Sequence, residues 1–161
     1  MCRDFCTSLA RHGFRRIYLV PSHGGNFGPL AGMLERLGEA VGPAVQVNAF
    51  TDMGAVVELW TRVVEEESGL GGHVGGHADI AESSIMLALH PELVRREEAG
   101  AGYVGRLTPD AVERMGRDGI GSIAPNGILG DPRGMSKAIG RRCIEELVEM
   151  LAAHAWERAP V

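Results

Sequence analysis

Apolar residues recur along this chain with two different periods, and the alternation between them sets its plan. Residues 3–12 follow a helical spacing that closes at His12–Gly13, where the glycine suits a helix C-terminus. The run RIYLVP, Arg16–Pro21, is rich in β-branched and aromatic residues and predicts a buried strand. Leu30, Met33, Leu34 and Leu37 then fall on one face of a predicted helix over Phe27–Ala40. AVQVNAF, Ala44–Phe50, predicts a second strand. Asp52 is placed to cap a helix over Met53–Glu67, with Val56, Val57, Leu59, Trp60, Val63 and Val64 as its apolar stripe and Glu65–Glu67 as a solvated face.

The pattern breaks at SGLGGHVGGH, Ser68–His77, where five of ten residues are glycine, and a flexible loop is expected. It resumes in a predicted helix over Ala78–Leu89, with Pro91 just beyond its end. Leu93–Ile120 carries little periodicity, and Ser122–Ser136 reads as a long turn-rich loop. Lys137–His154 forms a final helix, with Ile139, Cys143, Ile144, Leu147, Val148 and Leu151 spaced by three or four. Strands alternating with helices imply an α/β domain with a mainly parallel sheet covered on both faces. Only two or three strands are readable, few for such a domain, so further upstream strands or an oligomeric partner are expected. A sheet edge left open in that way would be hydrophobic and would make an isolated monomer poorly soluble.

Composition narrows the function classes. The 161 residues suit one domain, with 45% hydrophobic and 23% charged residues as in ordinary globular proteins. The net charge of −5 argues against binding nucleic acid through bulk charge, and the basic pairs Arg15–Arg16 and Arg141–Arg142 are too short to reverse it. Cys2, Cys6 and Cys143 are odd in number and lack metal-ligand spacing, which fits reduced thiols in a cytoplasmic protein. No apolar run approaches a membrane span, and no signal-peptide pattern opens the chain.

Two stretches carry candidate chemistry. In VPSHGGNFGPL, Val20–Leu30, His23 follows the first strand, where α/β sheets place ligands. Gly24 and Gly25 allow close backbone approach, and Asn26 is placed to cap the next helix. The spacing G-G-x-x-G with no acidic residue at the second strand's end departs from a dinucleotide fingerprint, and no P-loop lysine is present. In GGHADIAESS, His77 precedes a helix and Glu82 lies in its first turn. Dipole stabilisation of a carboxylate explains Glu82 without function. His23, His77 and Glu82 together would also suit Zn²⁺ or Mn²⁺, with Ser83 and Ser84 bonded to the carboxylate or nearby backbone. His73, His90, His12, His154, Trp60 and Asp131 have ordinary structural readings as loop, helix-end, core and turn residues.

The same stretches resemble a known family. SHGGN resembles the N-G-H-G-G-N signature of the creatininase (creatinine amidohydrolase) family, with Ser22 replacing a glycine. GGHADIAESSIMLALHPELV resembles its H-A-G-x-x-E-T-S-x-x-L-x-x-x-P-x-x-V segment at His77, Ala78, Glu82, Ser83, Ser84, Leu87, Pro91 and Val94. GILGDPRGMSKAIG is similar to its G-x-x-G-D-P-x-x-A-[ST]-x-x-x-G segment at Gly127, Gly130, Asp131, Pro132, Ser136 and Gly140. The resemblance implies a three-layer α/β/α sandwich, two divalent cations, hydrolysis of a cyclic or linear amide and homo-oligomers. Family members include creatininases, formamide hydrolases and a mycofactocin-maturing peptidase.

By this resemblance His23 and Glu82 match metal ligands and His77 a histidine that assists proton transfer. Gly24, Gly25, Asn26 and Ser83 would touch substrate or support the ligands. Gly25 stands where creatininases proper have glutamate, which makes creatinine an unexpected substrate. Nothing in Met1–Val20 resembles the family's E-x-H-G-x-H-L-P-x-x-T-D metal motif, so residues 1–161 are expected to be the C-terminal two-thirds of a family domain, incomplete at the N-terminus. Two functions follow as expectations: a metal-dependent amidohydrolase, or a non-catalytic remnant or oligomer subunit without a complete metal site.

Overall fold

A computed structural model describes residues 1–105 and 107–157. The backbone divides into two compact units, one of Met1–Met53 with the chain from Glu149 onward, the other of Gly54–Val148.

The first unit is a β-α-β crossover with a helix before it. Helix α1, Cys2–Arg11, buries Cys6 and turns Leu9 inward, and the chain reverses through Gly13 at φ +92°. Strands β1, Arg16–Leu19, and β2, Gln46–Ala49, pair in parallel with Ile17 opposite Val47 and Leu19 opposite Ala49. Alternation puts those four apolar residues on one face, against Cys6, Leu30, Leu37 and Val45. On strand-pair positions between them, Tyr18 stands opposite Asn48, and its hydroxyl shares a 2.6 Å hydrogen bond with His154 Nδ1. The His154 ring also packs edge-on to Phe50, and Phe50 edge-on to Phe27.

The helix expected over Phe27–Ala40 is two helices, α2 over Phe27–Ala31 and α3 over Leu34–Val41. The Met33 N–H reaches back only three residues, to the Leu30 carbonyl, and Gly32 is a poor helix former at the break. The interruption still leaves Leu30 and Leu37 buried, so the apolar spacing reports burial correctly and continuity wrongly.

In the second unit, α4 spans Met53–Ser68 and buries Val56, Leu59, Val63 and Val64, as its stripe predicts. The glycine-rich segment expected to be a flexible loop instead ends in strand β3, Val74–His77. It pairs antiparallel with the two-residue strand β4, Leu129–Gly130, inside the expected loop Ser122–Ser136. Glycine is required at Gly75, since a Cβ there would collide with the Leu129 carbonyl. Tyr103 forms an isolated parallel bridge to Leu129. After β3 comes α5, Ile80–Leu89. The poorly patterned stretch contains α6, Pro109–Asp118, capped by the Thr108 hydroxyl accepting the Ala111 N–H.

Helix α7, Lys137–Glu157, starts where Ser136 Oγ accepts the Ile139 N–H. Gly140 allows it to touch the Ser84 backbone, space that any side chain would fill. Glu66 and Glu67, expected to be merely solvated, instead pair with Arg142, which also bonds Glu146, while Arg62 joins Glu66 and Glu146. This network ties α4 to α7 and holds the Glu146 carboxyl below its usual pKa, chiefly through Arg62. Its members are substantially exposed, so geometry rather than stability is its main contribution. Among the described residues, no helix is long and apolar enough to cross a membrane. The alternating order of strands and helices is the α/β class expected.

Candidate functional site

The turn joining β3 to α5 is built around two carboxylates. Asp79 is fully buried and is the N-cap of α5, where its Oδ1 accepts the N–H groups of Ala81 and Glu82 at 2.8 and 3.0 Å. Its Oδ2 accepts two more from the preceding strand, Gly75 and Gly76, both at 2.8 Å. Glu82, in the first helical turn, reaches back so that Oε2 accepts the Ala78 N–H at 2.6 Å. The Ser83 hydroxyl donates to the Ala78 carbonyl at 3.2 Å. Between these anchors Ala78 takes φ +52°, a left-handed conformation in which no other non-glycine residue of the described chain is found.

That turn sets the position of His77. Its Nδ1 lies 3.9 Å from Glu82 Oε2, and both side chains are partly open to solvent. Ion-pair range beside a capped carboxylate gives the imidazole a fixed negative neighbour, while its exposed ring can meet a ligand. His77 and Glu82 thus stand side by side, and Ser83 bonds backbone rather than the carboxylate.

The segment GDPRG supports the turn from below. Gly130 has φ +109°, and a Cβ added there would lie 2.9 Å from Asp79 Cβ and overlap the His73 carbonyl. Asp131 is buried and accepts the Arg133 backbone N–H and its guanidinium, which together hold its carboxyl below the usual range. Its own N–H donates to the His73 carbonyl at 2.9 Å. Asp131 thus has the turn-ordering role expected of it, and the half-buried His73 ring stands 3.3 Å from the Arg133 carbonyl.

His23 belongs to the first unit. It ends the extended segment after β1 and opens a short 3₁₀ turn, Gly24–Asn26. Its ring is exposed and rests over Gly25, where a Cβ would come within 3.0 Å of Nε2. Asn26 was expected to cap the following helix. It makes no side-chain capping bond there, because it sits at the end of the 3₁₀ turn in a helical conformation, whereas a capping residue is extended. A Cβ added at Gly24 would lie 3.2 Å from Met53 Cε and 3.3 Å from its sulfur, closer than an ordinary contact.

Among the described residues, no group of three or more His, Cys, Asp or Glu side chains could hold a metal ion. His77 and Glu82 are brought together as a pair. The cysteines are free thiols, and burial pushes Cys143 up to about 12, which makes it an unreactive core residue. His12, His90 and His154 bond Ser8, Glu92 and Tyr18, as helix-end residues do. Trp60 is half-buried, and its indole N–H has no partner among the described residues. The residue that sequence reasoning passed over is Asp79. Its signal was the spacing D-x-x-E before an apolar run, a helix N-terminus pattern.

Comparison with known proteins identifies the family of the chain. The family model for creatininase, creatinine amidohydrolase, matches residues 1–155. The chain is 30% identical over 136 residues to the mycofactocin precursor peptide peptidase of Mycobacterium ulcerans (strain Agy99), covering 83% of this chain and 45% of that protein. It thus spans about half the length of that relative. A solved creatinine amidohydrolase (creatininase) superposes with a TM-score of 0.69 at 23% identity, covering 99% of this chain and 62% of the other. A Zn–Zn type creatininase gives 0.67 at 21% identity and a Mn creatininase 0.65 at 22%, each with 99% of this chain covered against 62% and 63% of theirs. Over nearly its whole length, and with the α/β fold of those structures, the chain belongs to the creatininase family.

Proposed function

We propose that this chain, residues 1–161, is a single creatininase-like domain that carries part of the active site of a metal-dependent amidohydrolase, cleaving a C–N bond in a small cyclic or linear amide. The observation that carries the reading is the His77–Glu82 pair on a turn fixed by two carboxylates, in a member of this family. In this reading the amide bond breaks as water adds its oxygen to the carbonyl carbon, and His77 delivers the proton that the departing nitrogen requires. Glu82 stands beside the imidazole, and its bond to the Ala78 N–H keeps it in place. Gly24, Gly25, Asn26 and Ser83 line or support the substrate position.

Imidazole and carboxylate are the donor types that Zn²⁺ and Mn²⁺ accept, so His23 and Glu82 suit such an ion in kind. They do not suit it in number, since the described residues gather no set of three donors. In the proposal the remaining donors come from outside the described residues, and the protein works in the cytoplasm as a homo-oligomer. The shortage of donors also favours a second reading, a non-catalytic subunit that keeps the scaffold alone.

The two readings separate in one assay. Release of p-nitroaniline from an acyl-p-nitroanilide, and opening of creatinine, are followed with added Zn²⁺ or Mn²⁺ and with chelator. Hydrolysis of either amide that needs the ion, and falls about 100-fold or more in His77→Ala, is the expected result. No hydrolysis by the chain alone or in oligomers, with correctly folded protein, would establish the scaffold reading.

A further inference from the structure

We infer that Asp79 is a positioning residue for the His77–Glu82 pair, an inference that rests on the active-site reading for its functional meaning but not for its geometry. Neither the creatininase motif nor any resemblance assigns it a role, since Asp79 stands where the motif has glycine. Its single carboxylate accepts N–H groups from both sides of the turn, Gly75 and Gly76 before it, Ala81 and Glu82 after it. A helix cap needs only the second pair. The first pair ties the end of β3 to the start of α5, so the backbone between them has one short path, through Ala78 in the left-handed region.

The consequence falls on the two exposed side chains. With Ala78 held there, its N–H points at Glu82, and that bond places Oε2 beside the His77 ring. Asp79 itself is wholly buried and touches no substrate, so it acts only through its neighbours. Gly130 complements it, because only a residue without Cβ leaves space for the Asp79 methylene. Aspartate here does what glycine could not: its side chain supplies acceptors for four backbone donors, one buried and three part-buried.

Nuclear magnetic resonance tests this on the 161-residue chain. In the wild type, couplings across hydrogen bonds are expected from the amides of Gly75, Gly76, Ala81 and Glu82 to the Asp79 carboxylate carbon, and absence of the first two overturns the clamp. Asp79→Asn keeps one acceptor oxygen and loses the other. The expected result is amide exchange at Gly75 and Gly76 faster by at least about tenfold, loss of the left-handed signature at Ala78 and of the contact between His77 and Glu82, with α4 amides unchanged. Retention of the Ala78 signature and of that contact in Asp79→Asn overturns the positioning role. If the variant does not fold, the wild-type couplings decide. Where the wild type hydrolyses the anilide, Asp79→Asn is expected to lower kcat about tenfold or more with KM within about twofold, and an unchanged kcat overturns the inference. An inactive wild type with all four couplings present would overturn the proposed activity and leave the clamp standing.

Discussion

The turn that carries His23 and the turn that carries His77 and Glu82 are made by opposite means. The first is a single 3₁₀ turn with no side-chain cap, opening on an exposed imidazole that rests on a glycine. The second is held by five backbone N–H bonds to two carboxylates, one of them fully buried. Five charge-assisted bonds fix a backbone far more firmly than loop entropy alone permits to be undone. A histidine on the second turn is therefore held by its surroundings, whereas His23 stands exposed on a turn with no side-chain cap.

The contrast can be broken most severely at Asp79. Asp79→Ala leaves four donors without acceptors, one of them buried and three part-buried, and a loss of at least about 3 kcal/mol is expected in chemical denaturation, against a change within about 0.5 kcal/mol for His23→Ala. Equal losses for the two would remove the contrast. Gly130→Ala is next, with about 2–3 kcal/mol lost in the same measurement, because the residue is left-handed and its Cβ would press on Asp79.

Asp131→Asn acts more mildly and with a pH signature. Arg133 holds the Asp131 carboxyl below its usual range, so its bonds contribute in full above the ordinary carboxylate pKa of about 4 and are lost as pH falls through the lower folded value. The variant should be about 1–2 kcal/mol less stable at neutral pH, with the deficit shrinking at more acidic pH, as read from denaturation midpoints across that range. A deficit that persists undiminished in acid would show that packing rather than charge is responsible. The smallest effect is expected at Gly25→Ala. It should change stability by less than about 0.5 kcal/mol and yet displace the His23 ring signals, since the added methyl meets only the far end of that ring.

How much of this was legible in the sequence differs by element. Helices α4, α5 and α7 and strands β1 and β2 follow from apolar spacing, although in α7 only Ile139 and Cys143 of the expected stripe are buried and Val148 is exposed. Strand β3 was hidden, since VGGH has neither alternation nor β-branched density and is ordered instead by the Asp79 side chain and by close approach to Leu129. Helix α6 was hidden because it buries only Ala111, although Thr108 and Pro109 mark its start. Glu66 and Glu67 looked solvated because their partner, Arg142, is far away in sequence. At the candidate site, the nearness of His77 and Glu82 was readable from a five-residue spacing. The capping half of Asp79 was marked by the D-x-x-E spacing, but its bonds to Gly75 and Gly76 were not, because those partners are backbone N–H groups that every residue carries.

The proposal that Glu82 helps to hold a divalent ion is tested most directly by paramagnetic Mn²⁺ titrated into ¹⁵N-labelled protein. Amide signals of His77–Ser83 are expected to broaden as Mn²⁺ is added, and the effect to vanish in Glu82→Gln. No broadening at that turn, or broadening unaltered in Glu82→Gln, would show that Glu82 holds no such ion.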